Sequence, residues 1–359
     1  MPDFDTTPEQ RATQGAFFKR QLRVTPPAVK PGEVDISGKT AIITGANTGL
    51  GFACARQLLD LGIARLILAV RNESSGQDAR AELLGASKRQ AGLTPSTVVE
   101  VWPLDLASYE SITSFANRAR GLDRLDIFVN NAGITKKDFL LNRTTGHEEM
   151  VQVNYLSLVL LTVLMLPILR DKNKDNASSP GRIVNVNSDV ASWAKFQERE
   201  GPPPSLLAAV DDRAQFDNMD RYYTTKLLGQ FFLAELAKRV PPTVAVVNAP
   251  NPGLCRSGLQ RDFDGTVAGF LFGVFKRLFA RTVDIGARAL TDAAVRHGAE
   301  SHGQFLEDCK IQPMAPIVYK PEGIKLAEQL WKETMQELEF VKAAEIIEGL
   351  SDKIDNSPT

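Results

Sequence analysis

The chain has 359 residues, 43% of them hydrophobic, and a formal net charge of −1. That length permits two domains or one large α/β domain with a sizeable core. The near-neutral charge gives no reason to expect nucleic acid as a partner. Cys54, Cys255 and Cys309 have no paired spacing, and His147, His297 and His302 are scattered, so neither a disulfide framework nor a metal site is expected.

Residues 1–38 are polar, with Pro26-Pro27 and Pro31-Gly32, and predict an extended, partly disordered arm. Within it, Phe17-Phe18 followed by Lys19-Arg20 would pin the arm to the body or touch a membrane surface. No apolar signal segment is visible there, so a cytoplasmic location is expected. Thr40–Thr44 reads as a short buried strand, followed by Gly45, Ala46, Asn47, Thr48, Gly49, Leu50 and Gly51 and a helical run to about Leu61. Strand, glycine turn and helix are the context of a dinucleotide-binding turn. Gly45 permits the tight turn, Gly49 lets backbone approach a pyrophosphate, and Gly51 lets helix pack on strand. The helix N-terminus offers free N–H groups to phosphate oxygens.

Arg65–Val70 is the second strand and ends in Arg71-Asn72. Residues 69–72 hold no acid for a ribose 2′-hydroxyl, and Arg71 suits a 2′-phosphate, so NADP is favoured over NAD. Strands are expected over 97–101, 126–130, 181–187 and 243–248, with helices at 73–90, 108–120, 145–170 and 222–239. The alternation predicts an α/β fold, a doubly wound parallel sheet with right-handed crossovers. Ligands then sit at the carboxyl ends of the strands, where Gly45–Gly51, Asp105-Leu106, Asn130 to Gly133, Ser188 and Pro252-Gly253 fall. The longest apolar run, Leu156 to Leu169, contains Pro167 and is shorter than the ~20 residues a bilayer span needs; it reads as a buried helix.

Tyr222 and Lys226 lie four apart, hence on one helix face. An ammonium beside a phenol would lower the tyrosine pKa. Working near neutrality needs a shift of about 3 units from ~10. The pair then donates and accepts a proton at an alcohol or carbonyl oxygen.

Taken together, Thr44 to Gly51, Asn130 to Gly133, Asn154, Ser188, Tyr222 with Lys226, and Pro252-Gly253 resemble the short-chain dehydrogenases/reductases in order and placement. The likeness covers about residues 38–310. The arginine after the second strand, and Ser301 to Leu306 with Asp308-Cys309, resemble the retinol-dehydrogenase-like branch found in fungal biosynthetic pathways for polyketides and terpenoids. The resemblance implies one Rossmann-type catalytic domain over 39–320, an N-terminal arm over 1–38, a C-terminal helix packed on the body over 321–350 and a frayed tail over 351–359. It implies Tyr222 as general acid/base, Lys226 tuning it and holding the nicotinamide ribose, Ser188 on the substrate oxygen, and Asn154 on a relay water. It further implies Asp105 and Leu106 at the adenine, Asn131, Ala132 and Gly133 at the adenosine ribose, and Pro252-Gly253 at the nicotinamide. The expected activity is NADP(H)-dependent interconversion of a carbonyl and an alcohol on a lipophilic small metabolite. The alternatives are an NADP-binding sensor or scaffold, and a redox-neutral isomerase or cyclase.

Two departures stand out. Asn187 takes a position where the family often has serine. Ser188 and Tyr222 are separated by 33 residues, an insert (189–221) that would be a lid, a cover blocking the family's helix-to-helix dimer, or a passive loop. Residues 254–281 would form the substrate lid, rich in phenylalanine; a membrane-surface helix or a plain packing helix are the other readings.

Overall fold

The strand Thr40–Thr44 (β1) is buried at every residue and hydrogen-bonds in parallel to Arg65–Val70 (β2) on one side and Ile127–Asn130 (β4) on the other. In this computed structural model, residues 4–87, 97–174, 180–200 and 205–351 are described. The third strand, Val98–Pro103 (β3), pairs with β2; Arg182–Asn185 (β5), Val246–Asn251 (β6), Phe305–Glu307 (β7) and Lys310–Gln312 (β8) extend the sheet from β4. The order is β3-β2-β1-β4-β5-β6-β7-β8, all parallel except the last pair. The strand order reverses beside β1, which places a crevice between the carboxyl ends of β1 and β4.

The helices begin with Pro8–Arg11 (α1) and Gln14–Arg23 (α2), then Gly49–Asp60 (α3), Glu73–Ser87 (α4) and Tyr109–Arg120 (α5). Next, Glu149–Val151 (α6) runs through a π-helical stretch, Gln152–Leu156, into Ser157–Asn173 (α7). This continuous helix is long and apolar enough to cross a membrane, yet 94% of its most apolar window is buried, so it is a core helix. Leu206–Val210 (α8), Asn218–Ala237 (α9), Val267–Phe279 (α10), Val283–Val295 (α11), Pro321–Glu337 (α12) and Ala343–Ser351 (α13) complete the set. One core joins α3 and α11 to one sheet face, and the other joins α5, α7 and α9 to the opposite face.

Several expectations change. The arm is not simply extended. Thr7 and Gln10 form a capping box that starts α1, and Thr13 caps α2. Strand β6 begins and ends three residues later than the 243–248 expected. Pro241 accepts from Val244 N–H in a turn, and pairing with β7 carries the strand through Pro250, whose carbonyl accepts from Asn187. The C-terminal segment is two helices. Lys342 sits in left-handed backbone, φ 56°, between them. Part of the expected 73–90 helix, Gly201 to Pro204 of the insert and nearly all of the 351–359 tail lie outside the described residues.

The described part of the insert is packed. Phe196, Leu206, Leu207 and Val210 are buried in the core, and Glu333 of α12 accepts from the N–H groups of Leu206 and Leu207. Helix α12 lies along α9 through stacked rings of Phe232 and Trp331, and α13 packs on α7.

Candidate active site

The glycine turn is shaped as a close-approach loop. Gly45 and Gly49 have φ of 64° and 62°, a region that side chains disfavour. A Cβ on Gly51 would sit 2.5 Å from the Gly45 carbonyl oxygen, so only glycine lets α3 approach the turn. Thr48, the N-cap of α3, makes no side-chain capping bond, which leaves the helix's first N–H groups for an anion. Thr44 Oγ accepts from the N–H groups of both Asn131 and Ala132 at 2.9 Å, and Asn131 donates to the Thr44 carbonyl at 2.8 Å. These bonds lock the ends of β1 and β4 into one rim.

Around that rim stand the other candidate cofactor positions. Asn47 donates to Ser75 at the start of α4, 3.2 Å, and Asn72 caps that helix by accepting from Ser75 N–H. Arg71 is exposed at the end of β2, and among the described residues it makes no ion pair or hydrogen bond. Asp105 spends one carboxylate oxygen on Ala107 N–H, and Leu106 is buried beside it. Asn251 accepts from Gly253 N–H, turning the chain after Pro252 into left-handed backbone at φ 72°. A glycine cradle, an open helix N-terminus and an unpaired arginine fit a dinucleotide phosphate chain.

Asn154 sits inside the π-helical stretch, a device that turns one side chain out of helical register. Its amide clasps Ile134, donating to the carbonyl and accepting from the N–H, both at 2.8 Å, and it donates to Thr225 Oγ on α9 at 3.3 Å. Ser188 follows β5. Its Oγ accepts weakly from Val190 N–H and lies 3.4 Å from the Asp189 carboxylate. Asn187 is buried and ties this strand end to α9, donating to the Lys226 carbonyl at 3.0 Å and accepting from Gln230 at 3.3 Å. Gly229 is the residue it packs against; a Cβ there would sit 3.0 Å from the Asn187 amide.

Asp217 caps α9 by accepting from Asp220 N–H, and Tyr222 and Lys226 follow on its first turns. The Lys226 ammonium donates to the Val186 carbonyl at 3.0 Å and lies 5.7 Å from the centre of the Tyr222 ring. Thus α9 meets α6–α7 through Thr225 and β5 through Lys226 and Asn187. Asn154, Ser188, Tyr222 and Lys226 converge on one end of the sheet.

The electrostatics reverse one expectation. Burial, reinforced by the neighbouring Tyr223 and the Asp189 carboxylate, holds the Tyr222 phenol above the usual tyrosine value. Lys226 does not lower it. Its head is turned to Val186, and burial pushes the ammonium down to about 8. With the ammonium directed at the Val186 carbonyl, burial dominates at the phenol. The buried thiols of Cys54 and Cys255 are pushed up to about 12 and are not nucleophiles.

Beside Ser188 and Tyr222 lie further residues that the motifs do not include. Helix α2 lies there. Arg20 pairs with Asp189, next to Ser188, at 3.4 Å and with Glu307 at 2.7 Å, while Arg11 pairs with Glu307 at 2.8 Å. Trp193 donates to the Ala12 carbonyl at 2.7 Å. Aromatic rings run in contact from Tyr222 through Tyr223, Trp193 and Phe17 to Phe18, which abuts Phe275 and Phe279 of α10. The sequence signals were Phe17-Phe18 with Lys19-Arg20 and the phenylalanine-rich 254–281 segment, but nothing local shows that they meet, since the partners are far apart in sequence.

Comparison with known proteins shows the family. The model of the short chain dehydrogenase family matches residues 39–198. Short-chain dehydrogenase fogG of Aspergillus ruber is 48% identical over 351 residues, spanning 97% of this chain and 99% of the relative. The chain belongs to the short-chain dehydrogenase/reductase family. A second member, short chain dehydrogenase virL of Hypocrea virens, is 39% identical, covering 94% of this chain and 96% of its own. Solved structures share the Rossmann fold of this family. A carbonyl reductase from chicken fatty liver, bound to NADPH, aligns with a TM-score of 0.54 at 21% identity, over 78% of this chain and 99% of that one. A 3-ketoacyl-(acyl-carrier-protein) reductase from Brucella melitensis, complexed with NADH, aligns at 0.53 and 20%, over 76% and 97%. This short-chain dehydrogenase is therefore an oxidoreductase acting on a small molecule, with an N-terminal helix pair lying before the segment the family model matches.

Proposed function

We propose that this protein is an NADP(H)-dependent oxidoreductase that interconverts a carbonyl and an alcohol on a lipophilic small metabolite of the polyketide, terpenoid or retinoid type. The observation that carries the reading is the convergence of Asn154, Ser188, Tyr222 and Lys226 beside a glycine turn fit for a dinucleotide. Arg71, exposed and unpaired among the described residues, supports preference for the 2′-phosphate of NADP. The aromatic wall from Tyr223 to Phe279 supports an apolar substrate.

Bound NADPH would supply the hydride; the residues of this chain supply position and the proton. Gly45, Asn47, Thr48, Gly49, Leu50 and Gly51 would hold the pyrophosphate, Asp105 and Leu106 the adenine, and Asn131, Ala132 and Gly133 the adenosine ribose. Pro252 and Gly253 would hold the nicotinamide end. Ser188 donates a hydrogen bond to the substrate carbonyl and stabilises charge developing on its oxygen. Tyr222 is protonated at neutral pH, so it is ready to deliver its proton to that oxygen in reduction, the direction we favour. Lys226, with a pKa near 8, takes up and releases a proton close to working pH, and Asn154 orients the relay to solvent. The faces of α9 and α7 are covered by α12 and α13, which supports a chain that does not use the family's helix-to-helix dimer.

The test is turnover of NADPH with a panel of aromatic and alicyclic ketones and aldehydes, comparing the wild type with Tyr222→Phe. Loss of rate by about 10²–10⁴-fold, with NADPH binding retained, is expected for removal of a general acid. Full activity in the variant would sink the mechanism, and product formation without NADPH consumption would replace it with a redox-neutral one.

A further inference from the structure

Helix α10 turns two unlike faces outward and inward. Phe272, Phe275 and Phe279 are half-buried on one side: Phe272 stacks on Phe275, Phe275 lies tilted on Phe279, and Phe275 and Phe279 meet Phe18 of α2 edge to face. Val267, Phe270, Leu271, Val274 and Leu278 recur at helical spacing on the other side, and the helix presents them to solvent. Their exposures run from 46% at Val274 to 79% at Val267. Leu22 and Val24, at the end of the adjoining α2, are also exposed. Seven of the thirteen large apolar side chains exposed among the described residues thus lie on these two neighbouring helices. Scattered exposed apolar residues need no explanation, but such a concentration does.

Charge says what covers this face. Segments 14–23 and 254–281 together hold eight Lys or Arg and two acids, Asp262 and Asp264, in a chain whose net charge is −1. Asp262 is already paired with Lys136. Lys19, Arg23, Arg256, Arg261 and Arg277 are exposed, and none forms an ion pair among the described residues. An apolar strip framed by unpaired cations matches the headgroup boundary of an anionic bilayer, with apolar side chains below the headgroups and cations at the phosphates. A second copy of the chain fits poorly, because a two-fold contact would bring this cationic frame against itself.

We propose that the outer face of α10, with the end of α2, docks on the surface of an anionic membrane. The helix lies in the interface and does not span it, since it has 13 residues. This docking requires nothing of the catalytic residues. It would set the lid, and the aromatic wall behind it, against the phase in which apolar metabolites dissolve.

The experiment is co-sedimentation of the full chain with vesicles of phosphatidylcholine containing about one third phosphatidylserine, beside pure phosphatidylcholine vesicles. The expected result is binding to the anionic vesicles at least about tenfold stronger than to the neutral ones, weakening as salt is raised. Phe270→Glu/Leu271→Glu is expected to abolish it. Arg23→Glu/Arg277→Glu is expected to remove the preference for phosphatidylserine. Both variants should keep the wild-type melting temperature and NADPH affinity. Absence of binding to the anionic vesicles overturns the proposal. So does binding that survives the α10 variant, or a wild-type dimer in solution that the α10 variant dissociates. Failure of the wild type to bind NADPH would count against the cofactor reading alone and leave the vesicle result standing.

Discussion

Gln21 and Leu254 hold each other by two hydrogen bonds: the Gln21 side-chain oxygen accepts from the Leu254 N–H at 3.1 Å, and its amide donates to the Leu254 carbonyl at 2.9 Å. The same amide donates to the carbonyl of Phe279 at 2.9 Å. One buried side chain on α2 therefore fastens both ends of the 254–281 segment. Arg281 strengthens the join by donating to the carbonyls of Arg20 and Val24. A Gln21→Ala variant leaves three backbone groups of this segment, our proposed lid, without these partners, each worth about 1 kcal/mol. It is expected to raise KM for bulky carbonyls by about tenfold or more while NADPH binding is kept. Steady-state kinetics with one large and one small substrate, and limited proteolysis within 254–281, check it. An unchanged KM with an unchanged cleavage rate would show that α2 does not position the lid.

Arg71 offers a direct cofactor test. Removing it as Arg71→Ala should weaken NADPH binding by about 1.5–3 kcal/mol, the range for a hydrogen bond to a charged group, and leave NADH binding as it was. Fluorescence titration of both nucleotides reads this. Equal effects on the two would make Arg71 a residue of the fold's surface.

Lys226 has the opposite sign from an ordinary lysine in an ion pair. Burial lowers its folded pKa to about 8 from 10.5. Between those values the unfolded chain binds more protons, so stability rises with pH across that window. The cost of the buried charge is fully present below about 8 and relieved above 10.5. At about 1.4 kcal/mol per unit it is roughly 3 kcal/mol, minus the bond to Val186. Lys226→Met should therefore melt several degrees higher than the wild type near neutral pH, with the gap closing in alkaline buffer, and should lose activity. A lower melting temperature at pH 7 would contradict the burial argument.

His147 behaves in the contrary way. Burial opposes its charge, but the Asp211 carboxylate at 2.6 Å and Glu337 at 3.2 Å win, and the imidazole is pushed up to about 9. A raised folded pKa contributes stability that is complete below the ordinary value of 6.5 and lost as pH rises through 9. His147→Gln should cost roughly 2–3 kcal/mol near pH 6 and little above about pH 9.5. Because Glu337 belongs to α12, the early loss should be seen in the C-terminal helices by hydrogen exchange. A pH-independent loss would mean that His147 acts by packing alone.

Local pattern carried the sheet and the rim of the site. The glycine turn, β1, β2 and the pairing of Tyr222 with Lys226 on one helix are all consequences of short spacings, which sequence displays directly. Spacing did not reveal where the Lys226 head points, because Val186 is brought near only by the pairing of α9 with β5. Hence the sign of the Tyr222 shift was missed. Strand β6 was misplaced because Pro250 reads as a breaker, while its carbonyl, not its missing N–H, serves the rim. Gln21 carried no signal, and Arg20 only as part of the Phe17 to Arg20 stretch, since Asp189, Leu254, Phe279 and Glu307 lie more than 160 residues away.

The buried pair of Arg11 with Glu307 joins positions 296 residues apart. During synthesis this pair cannot form until β7 has left the ribosome, after the other partners of the N-terminal segment, Asp189, Trp193, Leu254 and Phe279, have emerged. The strands from β1 to β6 are made before Leu254, Phe279 and Glu307, so the arm gains its full set of contacts among the last steps of folding. An N-terminal fusion or a truncation before β1 should then leave the sheet from β1 to β6 intact and disturb the final closure, so that such chains accumulate as folded, protease-sensitive species in which the ends of segment 254–281 are loose.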